Sequence, residues 1–140
     1  MTKKMEEITL LLVEDDDVDA MSIERSFKSN RIGNNIIRAY DGLQALEMLQ
    51  NDEVPTPHII LLDLQMPRMN GIEFLQAIRD DKKLASSVVF ILTTSRADDD
   101  MTAGYANQIA GYFLKDDSGT NFIDLVNVLD SYWKVVQFPK

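Results

Sequence analysis

The chain has 140 residues, 45% of them hydrophobic and 26% charged, with a net charge of −9, no cysteine and one histidine. That is one domain's worth of sequence with enough apolar content for a real core. It excludes disulfides, thiolate catalysis and Cys-type zinc, and it argues against a histidine-built metal site and against phosphate-backbone binding as the main task. No apolar run reaches the roughly 18 residues a membrane helix needs, and Met1 to Glu7 has no signal-peptide pattern, so a cytoplasmic location is expected.

Taken in order, strands and helices alternate. Ile8 to Val13 is apolar except for Thr9 and stops at Glu14-Asp15-Asp16-Asp17, acids able to cap a helix from about Val18 with Met21, Ile23 and Phe27 inward, ending near Asn30 to Gly33. Asn35 to Tyr40 reads as the second strand. Asp41 with Gln44 three residues on then predicts a capped helix to about Asp52, its Leu43, Leu46 and Leu49 on one face. His58 to Leu62 is a strand buried on both faces, ending in Asp63, with Pro67 and Asn70-Gly71 as the turn. A helix from about Gly71 to Lys82 presents Ile72, Leu75 and Ile78. Ser87 to Thr93 gives the fourth strand, and Ser95 with Asp98 marks a short, weakly apolar helix over about Ala97 to Asn107. Gly111 to Leu114 is the fifth strand, and Thr120 to Tyr132 the last helix, with Phe122, Ile123, Val126 and Leu129 inward. Strict alternation predicts an α/β, doubly wound five-stranded parallel sheet with helices on both faces.

In such a sheet ligands bind beyond the carboxyl ends of the strands. Those ends display Glu14, Asp15 and Asp16, then Asp63, then Thr93, Thr94 and Ser95, then Lys115. Crowded carboxylates repel, so either some are protonated or a divalent cation sits among them. With oxygen ligands only, that cation is best served as Mg²⁺. A hydroxyl and an ammonium beside it complete a pocket complementary to a phosphoryl group, with a carboxylate as nucleophile.

These residues, Val13-Glu14-Asp15-Asp16, Leu62-Asp63-Leu64-Gln65-Met66-Pro67 with Gly71 eight residues on, Thr94-Ser95 and Lys115, resemble the receiver domain of two-component response regulators over residues 8 to about 132. The resemblance implies a flavodoxin-like (CheY-like) fold with strand order 2-1-3-4-5, and it assigns roles. Asp63 would accept a phosphoryl group from a histidine kinase. Asp15 would bind Mg²⁺ directly, Glu14 through water, and Asp63 and the main-chain carbonyl of Gln65 would share the metal. Thr94 would be the switch hydroxyl, with Thr93 as its rival after a one-residue slip. Lys115 would bind phosphate and Tyr112 would change rotamer on activation. The domain is expected to span residues 1 to 140 with a tail from 133.

Duller readings stand beside these. Asp16 and Asp17 are helix caps, Asp98 to Asp100 a solvated helix start, Met66 and Met69 packing, and His58 lies far from the active end. A static core aromatic is the lesser reading of Tyr112. The chain departs from the family where Lys115 is followed by Asp116 instead of proline. The added acids Asp116 and Asp117 are expected to slow phosphorylation, and Asp116→Pro to speed it.

An Asp-nucleophile phosphohydrolase would need a second Asp at position 65, which is Gln, and the six glycines form no nucleotide-binding pattern, so a signalling role outranks turnover. The other rival is a receiver-fold scaffold that has lost phosphorylation. The ending Tyr132-Trp133 with Val135-Val136 and Pro139 resembles single-domain regulators that partner phytochrome-type kinases. Trp133, Val135 and Phe138 could serve a homodimer or fold back over their own domain.

Overall fold

Five parallel strands form the centre of the protein in the computed structural model, which describes residues 8–29, 34–117, 122–135 and 138. In chain order the elements are β1 (Thr9–Val13), α1 (Asp17–Ser29), β2 (Ile36–Ala39), α2 (Gly42–Gln50), β3 (His58–Leu62), α3 (Gly71–Asp80), β4 (Val88–Thr93), α4 (Asp98–Ala106), β5 (Gly111–Leu114), a 3₁₀ turn (Lys115–Asp117) and α5 (Ile123–Val135). The strand order is β2-β1-β3-β4-β5, all pairs parallel, as the alternation and the resemblance implied. The far end of the first helix, over residues 30–33, and the predicted helix start at Thr120 lie outside the described residues.

Alternation along each strand divides the core in two. Leu11, Val13, Ile60, Leu62, Val89 and Ile91 pack against α2 and α3, through Leu49, Phe74, Leu75 and Ile78. Leu10, Leu12, Ile59, Leu61, Phe90 and Leu92 pack against α1 and α5, through Ile23, Phe27, Val126, Leu129 and Trp133. Strands buried on both faces explain why the sequence shows apolar runs there and no alternation.

Several local expectations shift. Met21 is half exposed, because α1 buries Ala20, Ile23 and Phe27 instead, and Ile123 stands on the open side of α5 while Leu125 takes an inward place. Asn70-Gly71 is the start of α3, not a free turn. The Asn70 side chain accepts from Glu73 N at 3.0 Å and the Glu73 carboxylate accepts from Asn70 N at 3.1 Å, a reciprocal cap. The left-handed residue of that loop is Arg68, with φ 65.

α5 runs to Val135, past the predicted end at Tyr132. Its Trp133 is buried and stacks on Phe27 with ring centroids 5.7 Å apart, and Phe138 meets Tyr132 edge-on at 5.9 Å. Trp133 and Phe138 are therefore used within the chain. Val135 is exposed.

Candidate phosphoryl-transfer site

Parallel register puts the predicted residues level with one another. Val13 pairs with Leu62, so Glu14 and Asp63 leave adjacent strands side by side, and Asp63 N donates to Val13 O at 3.0 Å. One carboxylate oxygen from each of Glu14, Asp15 and Asp63 falls within 4.8 Å of the others. Glu14 is 1% exposed and Asp63 6%, whereas Asp15 faces solvent. Three acids converge on one point with no nitrogen or sulfur donor among them, which is the donor chemistry of a hard divalent cation.

Lys115 enters from the end of β5. Its Nζ lies 2.7 Å from Asp19 Oδ2, 2.9 Å from Glu14 Oε1 and 3.3 Å from Asp63 Oδ2. Burial favours the neutral amine, but hydrogen bonds to Asp19 and Glu14 and the charges of Glu14 and Asp63 outweigh it, so its pKa is raised. Burial, reinforced by the charge of Asp63 and opposed by Lys115, pushes Glu14 up to about 8. That is the cost of burying a carboxylate, increased by its neighbour Asp63, and a bound cation would relieve it.

Asp19 and Arg38 are the contributors sequence reasoning missed. Arg38 donates through Nε and Nη2 to the Glu14 carbonyl at 3.0 and 2.8 Å and pairs with Asp17 at 2.8 Å, so β2 fastens the backbone that carries the acid pair. Only the strand order 2-1 reveals it: Leu12 pairs with Arg38, which puts its guanidinium at the end of β1. Asp16 behaves as the cap expected, accepting from Val18 N at 2.9 Å and Asp19 N at 3.1 Å.

The two threonines part company. Thr93, the last residue of β4, is fully buried, and its hydroxyl oxygen accepts from Ser95 N at 3.3 Å. Thr94 is exposed and donates to the Gln65 side chain at 3.3 Å. Gln65 N in turn donates to Asp63 Oδ1 at 3.2 Å. Tyr112 is turned inward, its hydroxyl donating to Ser95 O at 3.0 Å. Ser95 also donates to Asp100 at 2.6 Å, not to Asp98 as a simple cap would suggest, and Ala97 holds the cap position of α4 without a side-chain bond. Among the described residues only Thr56–Pro57 is cis, so the Lys115–Asp116 bond is trans, and Asp116 faces solvent 4.0 Å from Arg96.

His58 opens β3, at the opposite end of the central strand from Asp63, beside a cavity of about 260 Å³ that none of these acids line. No helix among the described residues is long and apolar enough to cross a membrane.

Residues 10–127 match the family model for the response regulator receiver domain. Response regulator Rcp1 of Synechocystis is 33% identical over 128 residues, covering 89% of this chain and 87% of its own. The probable methanogenesis regulatory protein FilR2 of Methanothrix harundinacea is 35% identical, covering 89% and 82%. The Mn²⁺-bound structure of Rcp1 superposes with a TM-score of 0.83 at 32% identity, over 94% of this chain and 99% of that one. The phosphorylated cyanobacterial phytochrome response regulator RcpA does so with 0.84 at 26% identity, over 94% and 98%. These likenesses favour a phosphoryl acceptor over a scaffold that has lost phosphorylation. The chain belongs to the response regulator receiver family, the phosphoryl-accepting signalling domains of two-component systems.

Proposed function

We propose that Asp63 is the phosphoacceptor and that Glu14, Asp15 and the Gln65 carbonyl hold Mg²⁺ beside it. The observation that carries this is the position of the Asp63 carboxylate, which converges with Glu14 and Asp15 within 4.8 Å while the Lys115 ammonium reaches both Glu14 and Asp63, at 2.9 and 3.3 Å. An Asp63 oxygen attacks the phosphorus of the kinase's phosphohistidine. A P–O bond forms as the P–N bond breaks, the electron pair leaves on the imidazole, and the product is an acyl phosphate. The cation would neutralise charge on the transferring oxygens and on the acids. Lys115 balances another part of that charge, and Gln65 N holds the acceptor carboxylate in place.

Thr94 reaches the pocket mouth through Gln65. The switch, however, is better served by Thr93. Ile91 pairs with Tyr112 and shares a core cluster with it, and Thr93 lies two residues beyond Ile91, on the same face as the aromatic it would control. A phosphoryl group drawing in that hydroxyl would bias the loop that Ser95 and Tyr112 share.

The test is incubation with Mg²⁺ and acetyl phosphate followed by intact mass. The parent gains one phosphoryl group and Asp63→Asn gains none. Equal labelling of both would overturn the assignment. Thr93→Ala is expected to uncouple labelling from any change at Tyr112, and Thr94→Ala to leave that coupling in place.

A sensor histidine kinase is the proposed donor, of phytochrome type by analogy with RcpA and with the response regulator of R. palustris red light signalling. With Trp133 and Phe138 engaged internally, a homodimer would use Val128 and Val135, both exposed and seven residues apart on one face of α5. Sedimentation of a Val128→Asp, Val135→Asp double variant tests it. A monomer for both chains removes the dimer.

A further inference from the structure

We propose that Asp19 is a positioning residue that competes with the incoming phosphoryl group for Lys115, tethering the ammonium to α1 in the resting protein. The proposal rests on Asp63 being the phosphoacceptor. An ammonium has three protons, and Lys115 directs its Nζ at three carboxylates, with Asp19 the nearest at 2.7 Å and Asp63 the farthest at 3.3 Å. Asp19 is not loosely placed. Its own N–H is held by the Asp16 cap at 3.1 Å, in the first turn of α1, and its side chain is only 26% exposed.

The competition follows from which acids a cation satisfies. Glu14, Asp15 and Asp63 come within reach of a common ion, and Asp19 is not in that group. A bound divalent cation therefore relieves Glu14 and Asp63 of their need for Lys115 and leaves Asp19 as its remaining anionic partner. A phosphoryl group on Asp63 brings about 1.5 to 2 negative charges that must recruit the same ammonium. Arg38, another cation at this edge, is engaged by Asp17 and the Glu14 carbonyl. Removing the Asp19 charge while keeping its shape frees Lys115 to swing toward the new anion.

The experiment uses beryllofluoride as a phosphoryl mimic at saturating Mg²⁺, alongside acetyl phosphate labelling, with the parent, Asp19→Asn and Asp19→Glu. Asp19→Asn should bind beryllofluoride roughly two- to fivefold more tightly and label faster by a similar factor, the range of one partly exposed ion pair. Asp19→Glu should return to the parent's values, and the gap between parent and Asn variant should shrink at high salt. Emission from the buried Trp133 reports folding of each chain, and Asp19→Ser replaces the Asn variant if that one is perturbed. An Asn variant that binds the mimic no more tightly than the parent, or more weakly, overturns the tether while a labelled parent leaves the phosphoacceptor reading intact. A parent that takes no phosphoryl group at Asp63 overturns both.

Discussion

A Cβ added to Gly71 would lie 2.7 Å from the carbonyl oxygen of Asp63 and 2.6 Å from Cα of Leu64. The first residue of α3 thus packs directly on the backbone that carries the proposed phosphoacceptor, and Gly71 N donates to Leu64 O at 3.0 Å. The obstacle is main chain, which cannot step aside as a flexible side chain would. Gly71→Ala should cost about 1–3 kcal/mol through overpacking and displace the Asp63 loop. Urea unfolding checks the first effect and the rate of acetyl phosphate labelling, expected to fall, checks the second.

Cation binding at the proposed site should depend on pH through Glu14. Folded Glu14 holds its proton to about pH 8, against an ordinary value of 4.5. A cation must displace that proton, so affinity should rise as pH climbs through this window and level off above it. Calorimetry at pH 7 in two buffers of different ionisation enthalpy should show proton release on binding; Glu14→Gln should remove it.

The same group sets a stability trend in cation-free protein. Between about 4.5 and 8 the native state binds more protons at Glu14 than the unfolded chain does, so its contribution to stability falls as pH rises. Denaturant midpoints with and without Mg²⁺ check this, and the decline should be weaker with the ion present.

Trp133 closes the core beneath α1 and α5 through its stack on Phe27. Trp133→Ala should cost about 3–5 kcal/mol. Cutting the chain after Ser131 removes the same indole, so that truncation should lower the unfolding midpoint whatever it does to self-association.

Tyr112→Phe removes the donor to Ser95 O and nothing else of size. About 0.5–1.5 kcal/mol of stability should be lost. Amide exchange should quicken at the start of α4, because the helix's one buried residue, Gly104, lies near its other end, with the labelling rate unchanged.

By itself the sequence determined the alternation of strands and helices, the two-faced burial of β1, β3 and β4, and the placing of Glu14, Asp15, Asp63 and Lys115 at strand ends. Those are local properties, since apolar runs and the polar residues that stop them are written along the chain. The tertiary structure decided what depends on neighbours distant in sequence. It set Asp19 against Lys115 across 96 positions, brought Arg38 to the carbonyl of Glu14, turned Thr93 inward and Thr94 outward, and folded Trp133 into its own core. The physical reason is register: strand pairing and helix packing fix which side chains meet, and hydrophobic periodicity cannot say which carboxylate a lysine will find.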